Sequence, residues 1–494
     1  GELIAATPTD YVFKTDTNIG SNDPDNQDFR KVKTPDSYEV MRYDRIILSD
    51  RTERLVCFTK AHAYFWDSLL TTWQLIFTTT SDTDEWDSDQ YGDYLVATCD
   101  VDRPIYWDGD SATTFVTLNT YTTGTSVYIS RARFVKSYHN YLVFGFVELS
   151  NGDTYAHNVY WSNIGEGVSG NGFRQDVSGD AGTAYIDGQG EITGGFGLWQ
   201  GQLIVFKRRS TRKVWMVRGT IPFFQDNVNH AIGCSAPGSV VNGEDGDLYF
   251  YASDKTFRGI GTGIISHAMD VTARNINPSY LGKIRSTYVA EYDEIWWSIP
   301  YGVHATVNNK VVVYKQRKWM PDREMAITAF GKYSRTLNYT WDSLPYATWD
   351  DWAWDRWDNV EAGSDFLVDI CGDANGYTYD AHGAYSDDGT AYDSSICLNT
   401  DFANKRGLAY YKRVLQVFIY IYAGGAGTLT CSVKKDSADY YENLGSVEIT
   451  GSGEILRKRL AVDFRCRHAL LKITGTSHFR FIGAEFELQF MGAR

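Results

Sequence analysis

Along most of the chain a short apolar run, a polar turn and a second apolar run that often ends in an aromatic recur as one unit. The unit appears as RLVCFTKAHAYFWD at 54–67, DYLVATCDVDRPIYWDGD at 93–110 and NYLVFGFVELSNGDTYAHNVYWSN at 140–163. It returns as GQLIVFKRRSTRKVWMV at 201–217 and GDLYFYASDKTFRGIG at 246–261. The last two copies are DEIWWSIPYGVHATVNNKVVVYKQRKWM at 293–320 and DFLVDICGDANGYTYDAH at 365–382. Their leading apolar residues, from Leu55 to Phe366, are spaced by 40, 47, 61, 45, 47 and 71 positions. Most of these gaps match the roughly 40–50 residues of a four-stranded propeller blade. Weaker flanking strands, such as 133–136 and 238–241, supply the remaining edges.

A single hairpin is marginal in water, so such units must stack to bury both faces, and radial closure also protects the sheet edges. The pattern therefore predicts an all-β chain whose residues 38–382 form a β-propeller of six to eight blades, seven favoured. Stacked antiparallel sandwiches are the alternative. Residues 1–37 read as an N-terminal arm that reaches a neighbour.

Near residue 383 the pattern changes. After a small, polar stretch come strands such as KRVLQVFIYIYAG, GTLTCSVKKDS, EILRKRLAVDF and FRFIGAEFELQF, at spacings that suit a jelly-roll-like β-sandwich over residues 383–494. In the first, Val417, Ile419 and Ile421 share one face and Phe418, Tyr420 and Tyr422 the other. Both faces are apolar, which predicts a central strand covered on both sides.

Composition narrows the class without naming a function. The 494 residues include 15 Trp, 34 Tyr and 25 Phe but only 10 Pro, which excludes disorder, coiled coil and collagen. Residues 1–30 lack an apolar signal core, and the strongest apolar run, 414–423, is far shorter than a membrane helix of roughly 20 residues. No membrane-spanning segment is expected. The seven cysteines are scattered, with no C-x-x-C pair, and read as reduced, mostly buried thiols.

Charge is unevenly distributed. Residues 400–494 hold 14 Lys/Arg against 9 Asp/Glu, a net of +5, which leaves −20 of the total −15 on residues 1–399. An acidic body argues against clamping nucleic acid, because phosphate contacts need clustered cations. The basic groups Lys405/Arg406, Lys412/Arg413, Lys434/Lys435 and Arg457/Lys458/Arg459 form a candidate positive patch for an acidic partner, including another copy's propeller.

Recognised catalytic motifs are missing. No H-E-x-x-H, G-x-S-x-G or phosphate-loop pattern occurs, and the glycine-rich stretches at 190–201 and 258–263 read as turn glycines. Acid-rich turns lack the spacing of a calcium loop, and the sialidase-type aspartate box is absent. No metal or cofactor is called for, and the reading is non-enzymatic. The segment TWDSLPYATWDDWAWDRWD at 340–358 concentrates Trp341, Trp349, Trp352, Trp354 and Trp357 in a Trp-rich insertion over 339–360. It reads as a loop stapled by indoles to a sheet, or as an aromatic contact surface for a neighbouring subunit.

Several stretches, taken in order, carry a resemblance. RARFVKSYHNYLVFG leads to VYWSNIGE, then GEITGGFGLWQGQLIVFKRRSTRKVWMV, AIGCSAPGSVVNGEDGDLYFYASD and the Trp-rich string. Together with the sandwich tail these resemble the tail nozzle, or packaged-DNA stabilisation, family of short-tailed bacteriophages over about residues 90–494. That resemblance implies a structural virion protein, assembled in the host cytoplasm, which forms a ring of six copies at the distal end of the head-to-tail channel. Its partners would be other copies of itself and neighbouring tail adaptor or fibre proteins. Double-stranded DNA would be retained, then pass without sequence-specific contact, easing past an acidic lumen. Two other readings stay open: a receptor- or glycan-binding tail component, and a propeller-type glycan hydrolase or lyase.

Overall fold

The protein is seen in a computed structural model that describes residues 2–12, 32–67, 72–124, 126–217, 222–320, 322–323, 325–334, 367–381, 394–400, 411–423, 426–436, 438, 440–451, 453–476 and 479–490. The chain divides into two compact units, one of residues 22–320 and 325–382, the other of 1–21, 321–324 and 383–494.

The first unit is a seven-bladed β-propeller. Antiparallel sheets of four or five strands follow one another over 40–78, 87–117, 121–185, 192–229, 241–264, 285–319 and 329–380. Their inner strands are Val40–Ile47, Asp87–Tyr91, Val127–Tyr138, Ile192–Trp199, Val241–Asn242, Arg285–Val289 and Ala329–Ser334. Each lies beside the next, and the last lies beside the first, so the sheets close into a ring. The seven recurring hairpins correspond to the two middle strands of each blade, such as Glu53–Thr59 with His62–Asp67.

Those middle strands are apolar at successive positions because each blade is covered on both faces by its neighbours. Leu55 and Cys57 pack towards the seventh blade with Ala329 and Ile370, while Val56 and Phe58 pack towards the second with Leu95 and Trp107. Aromatics fill the wedge between blades, as where Trp296 meets Phe330 edge-on with ring centres 6.3 Å apart.

The 71-residue spacing has its cause in the seventh blade. The Trp-rich insertion falls between its first two strands, Ala329–Ser334 and Leu367–Gly372. Trp341, Trp349, Trp352, Trp354 and Trp357 lie outside the described residues.

Two sequence expectations are corrected here. Residues 1–37 are not a separate arm: Val32–Lys33 is the outer strand of the seventh blade, paired with Tyr377 and Thr378, and Glu2–Val12 is a strand of the second unit. The glycines of 190–201 are not all turn residues. Gly194 and Gly197 lie within the inner strand of the fourth blade, at register shifts. Gly194 has a φ of +102°, and a Cβ there would sit 2.0 Å from the Phe134 ring of the third blade. The missing side chain admits that ring.

The second unit has eight strands: Glu2–Val12, Ser394–Thr400, Lys412–Ala423, Ala426–Lys435, Glu442–Thr450, Ile455–Cys466, Ala469–Gly475 and Phe479–Phe490. Numbered in that order, one sheet runs first-eighth-third-sixth and the other second-seventh-fourth-fifth. The first strand passes from one sheet to the other, pairing through Glu2–Ala6 with the eighth strand and from Thr7 onward with the second. This is jelly-roll order, and its core is shared by both sheets through residues such as Leu398, Val417, Ile419, Leu429 and Phe486. The whole propeller is thus inserted between the first two strands of the jelly roll. The strand Lys412–Ala423 is central, as expected, but among the described residues its second face is only partly covered. Val417, Ile419 and Ile421 are buried while Phe418 and Tyr420 are half-buried and Tyr422 is exposed.

Candidate functional site

The inner strands bring charged residues from separate blades to the propeller axis. They line a cavity of about 530 Å³ to which every blade or its flanking connection contributes. Arg42, Arg133, Lys136, Lys283 and Arg285 face it alongside Asp84, Glu85 and Asp87.

Most of these groups are held by partners across blade boundaries. Arg42 of the first blade sits 3.1 Å from Asp87 of the second and donates to the Ser88 hydroxyl and carbonyl at 2.8 Å. Asp87 also accepts from the Val135 backbone N–H of the third blade at 2.9 Å. Lys136 pairs with Asp89 at 2.8 Å, and Arg133 with Asp100 at 2.9 Å. On the other side Lys283, which precedes the sixth blade, reaches Glu39 beside the first at 2.9 Å. Arg285 donates to the Met41 carbonyl at 3.2 Å.

The cavity is therefore a hub braced by contacts between blades. Burial pushes the Asp87, Glu85 and Asp100 carboxyls above their usual range, against the pull of Arg42 and Arg133. Burial, reinforced by Arg42, lowers the Arg285 guanidinium to about 10. For Arg42 burial opposes the charge, but Asp87, Asp44 and Asp89 outweigh it and hold the guanidinium up.

This hub was not picked out from the sequence. Its signal is the group of three charges set into otherwise apolar inner strands, as in VMRYDRII and RARFVK, one strand ahead of a conspicuous hairpin. Spacing alone could not show that strands so far apart in sequence meet at one axis.

Among the described residues the basic groups do not form one patch. Lys405 and Arg406 lie outside the described residues. Lys412 is buried, with Nζ donating to the Arg467 carbonyl at 2.9 Å. Arg413 pairs with Asp463 at 2.6 Å, and Lys435 with Glu442. Lys434 lies beside Lys435 on Ala426–Lys435, in the opposite sheet from Arg457. Arg457 covers the Phe418 ring at 4.0 Å and lies 3.7 Å from Glu485. Alternation then places Arg459 on its side and Lys458 on the other, level with the buried Ile419. The physical reason is strand geometry: neighbours in sequence point to opposite faces, and cross-strand acids take up the charge.

All seven cysteines are free and six are buried. Burial raises the Cys234, Cys431 and Cys466 thiols to about 12. Among the described residues no cluster of three or more His, Cys, Asp or Glu is placed to hold a metal ion, and no helix is long and apolar enough to cross a membrane.

No family model and no curated protein sequence matches the chain. Among solved structures it is similar to one described as "YCF48 bound to D1 peptide", at 8% identity and a TM-score of 0.35, covering 70% of this chain and 94% of that one. So distant a likeness carries no functional argument. The propeller rests on the strand order and ring closure described above.

Proposed function

We propose that the protein is a structural component of a short-tailed bacteriophage virion, the distal nozzle of the head-to-tail channel. The observation that carries this reading is the axial hub, where charges gathered from separate blades pair with each other and brace the ring. A catalytic centre would instead keep an acid, base or nucleophile available to substrate.

The hub cavity, at about 530 Å³, is too small to pass a DNA duplex. A conduit would have to be formed between copies, with six arranged in a ring. Five cations and three acids face the axial cavity, so the acidic excess of residues 1–399 is not gathered at the axis. In a ring, an acidic inner wall would repel phosphate and let DNA slide. The ordered sequence stretches that resemble the nozzle family support the same reading.

Electron microscopy of the purified protein, and of particles containing it, tests the proposal. Symmetric rings with an acidic lumen are expected. Persistent monomers in the presence of channel-side partners, or a lumen lined mainly by Lys and Arg, would overturn it.

A further inference from the structure

A second recess, of about 390 Å³, lies between the fifth and sixth blades, away from the axial hub. Its tyrosines come from strands: Tyr249 from the fifth blade, Tyr288 and Tyr314 from the sixth. Its rim comes from three turns, carrying Glu244 and Asp245, Asp293, and Gln316 with Arg317. Tyr249 and Tyr314 are buried, with ring centres 5.8 Å apart, whereas Glu244, Asp245, Gln316 and Arg317 are exposed.

Two groups in this recess have no partner among the described residues. Tyr314 is 6% exposed, and its hydroxyl makes no hydrogen bond. The ring is buried while the hydroxyl borders the open recess, where it is free to donate to and accept from a ligand. Arg317 makes no ion pair although three carboxylates share the rim. Asp245 and Asp293 already accept from Tyr249 at 2.7 Å and from Tyr288 at 3.3 Å, and each carboxylate keeps further acceptor sites.

The recess thus offers an aromatic floor, acceptors on three carboxylates, and donors on Arg317, Gln316 and the Tyr314 hydroxyl. An anionic ligand would meet a rim with a net charge of −2, while a compact cation would meet Arg317. A neutral polyol suits both, because each hydroxyl donates and accepts while its C–H faces lie on tyrosine rings. The volume falls within the range of about 300–1,000 Å³ usual for small-ligand pockets. We infer that this recess is a carbohydrate-binding site that takes a neutral monosaccharide unit, free or at the end of a glycan chain. The inference does not rest on the virion assignment, and its failure would leave that assignment standing.

The test is saturation-transfer NMR and calorimetric titration of the full chain. The probes are glucose, galactose, mannose, rhamnose, N-acetylglucosamine and N-acetylgalactosamine, with trimethylammonium and acetate as charged controls. Saturable millimolar or tighter binding of at least one sugar is expected. Asp293→Asn or Arg317→Ala, both in turns, should weaken it about tenfold or more, and Tyr314→Phe several-fold, with unchanged melting temperatures. Absence of saturable binding across the six sugars would overturn the inference. So would sugar binding unaffected by all three variants, or preference for either charged control.

Discussion

Val32 pairs with Thr378 across an antiparallel ladder, so a strand from near the start of the chain completes the outer edge of the last blade. Two residues on, the seam is extended by the Thr34 backbone N–H, which donates to the Gly376 carbonyl at 2.8 Å. A ring of blades has no other covalent constraint against opening between its first and last members, so this seam and the core around Tyr43 and Ile370 must hold it.

Thr34→Pro removes that N–H. Loss of about 1–3 kcal/mol of propeller stability is expected, seen as a lower melting temperature and faster proteolysis between residues 22 and 40. An unchanged melting curve would show that the seam contributes nothing.

At the axis, Arg42 and Asp87 should behave as a coupled pair. Their side chains are 35% and 22% exposed to the hub, so solvent softens the cost of breaking them. Arg42→Ala and Asp87→Ala should each cost about 1–3 kcal/mol, and the double variant less than their sum. Strict additivity in denaturant titrations would show that the pair does not link the two blades.

Asp36 sets an acid-sensitive contact. Burial alone would raise its carboxyl, but hydrogen bonds from Thr59, His62 and the Tyr38 backbone N–H outweigh that effect and hold it below the usual range. A depressed carboxyl contributes stability that is present above its unfolded value of about 4 and is lost as pH falls through the folded value. Asp36→Asn should therefore destabilise the propeller at pH 7 by about 1–2 kcal/mol and flatten the loss below pH 4. Asp87 has the opposite sign: its raised carboxyl favours the fold below its unfolded value, and the contribution fades as pH rises through the folded one. Equal slopes for wild type and Asp36→Asn between pH 5 and 2 would refute the Asp36 assignment.

Gly194 gives a steric test. Its φ of +102° and the Phe134 ring 2.0 Å from an added Cβ predict that Gly194→Ala costs about 2–4 kcal/mol. Phe134→Leu in the same chain should recover part of that loss. Full tolerance of Gly194→Ala, read by thermal unfolding, would mean that the third and fourth blades do not approach so closely.

The fold was largely legible because burial on both faces leaves a local trace. Seven doubly covered hairpins wrote seven apolar runs with polar turns, and the jelly-roll strands wrote alternation at their own spacing. The scattered cysteines, read as mostly buried thiols, are free, and six of the seven are buried.

What the sequence could not determine is everything that depends on pairing over long separations. Glu2–Val12 looks like any short strand, and only its partners place it in a jelly roll that the propeller interrupts. Arg42 and Asp87 look like surface charges until ring closure puts them side by side. The clusters at 457–459 and 412–413 look like a patch until strand alternation splits them between faces and partners. Local pattern records which side chains leave water, because that choice repeats along each strand. Which buried or charged group meets which is settled only when distant strands come together.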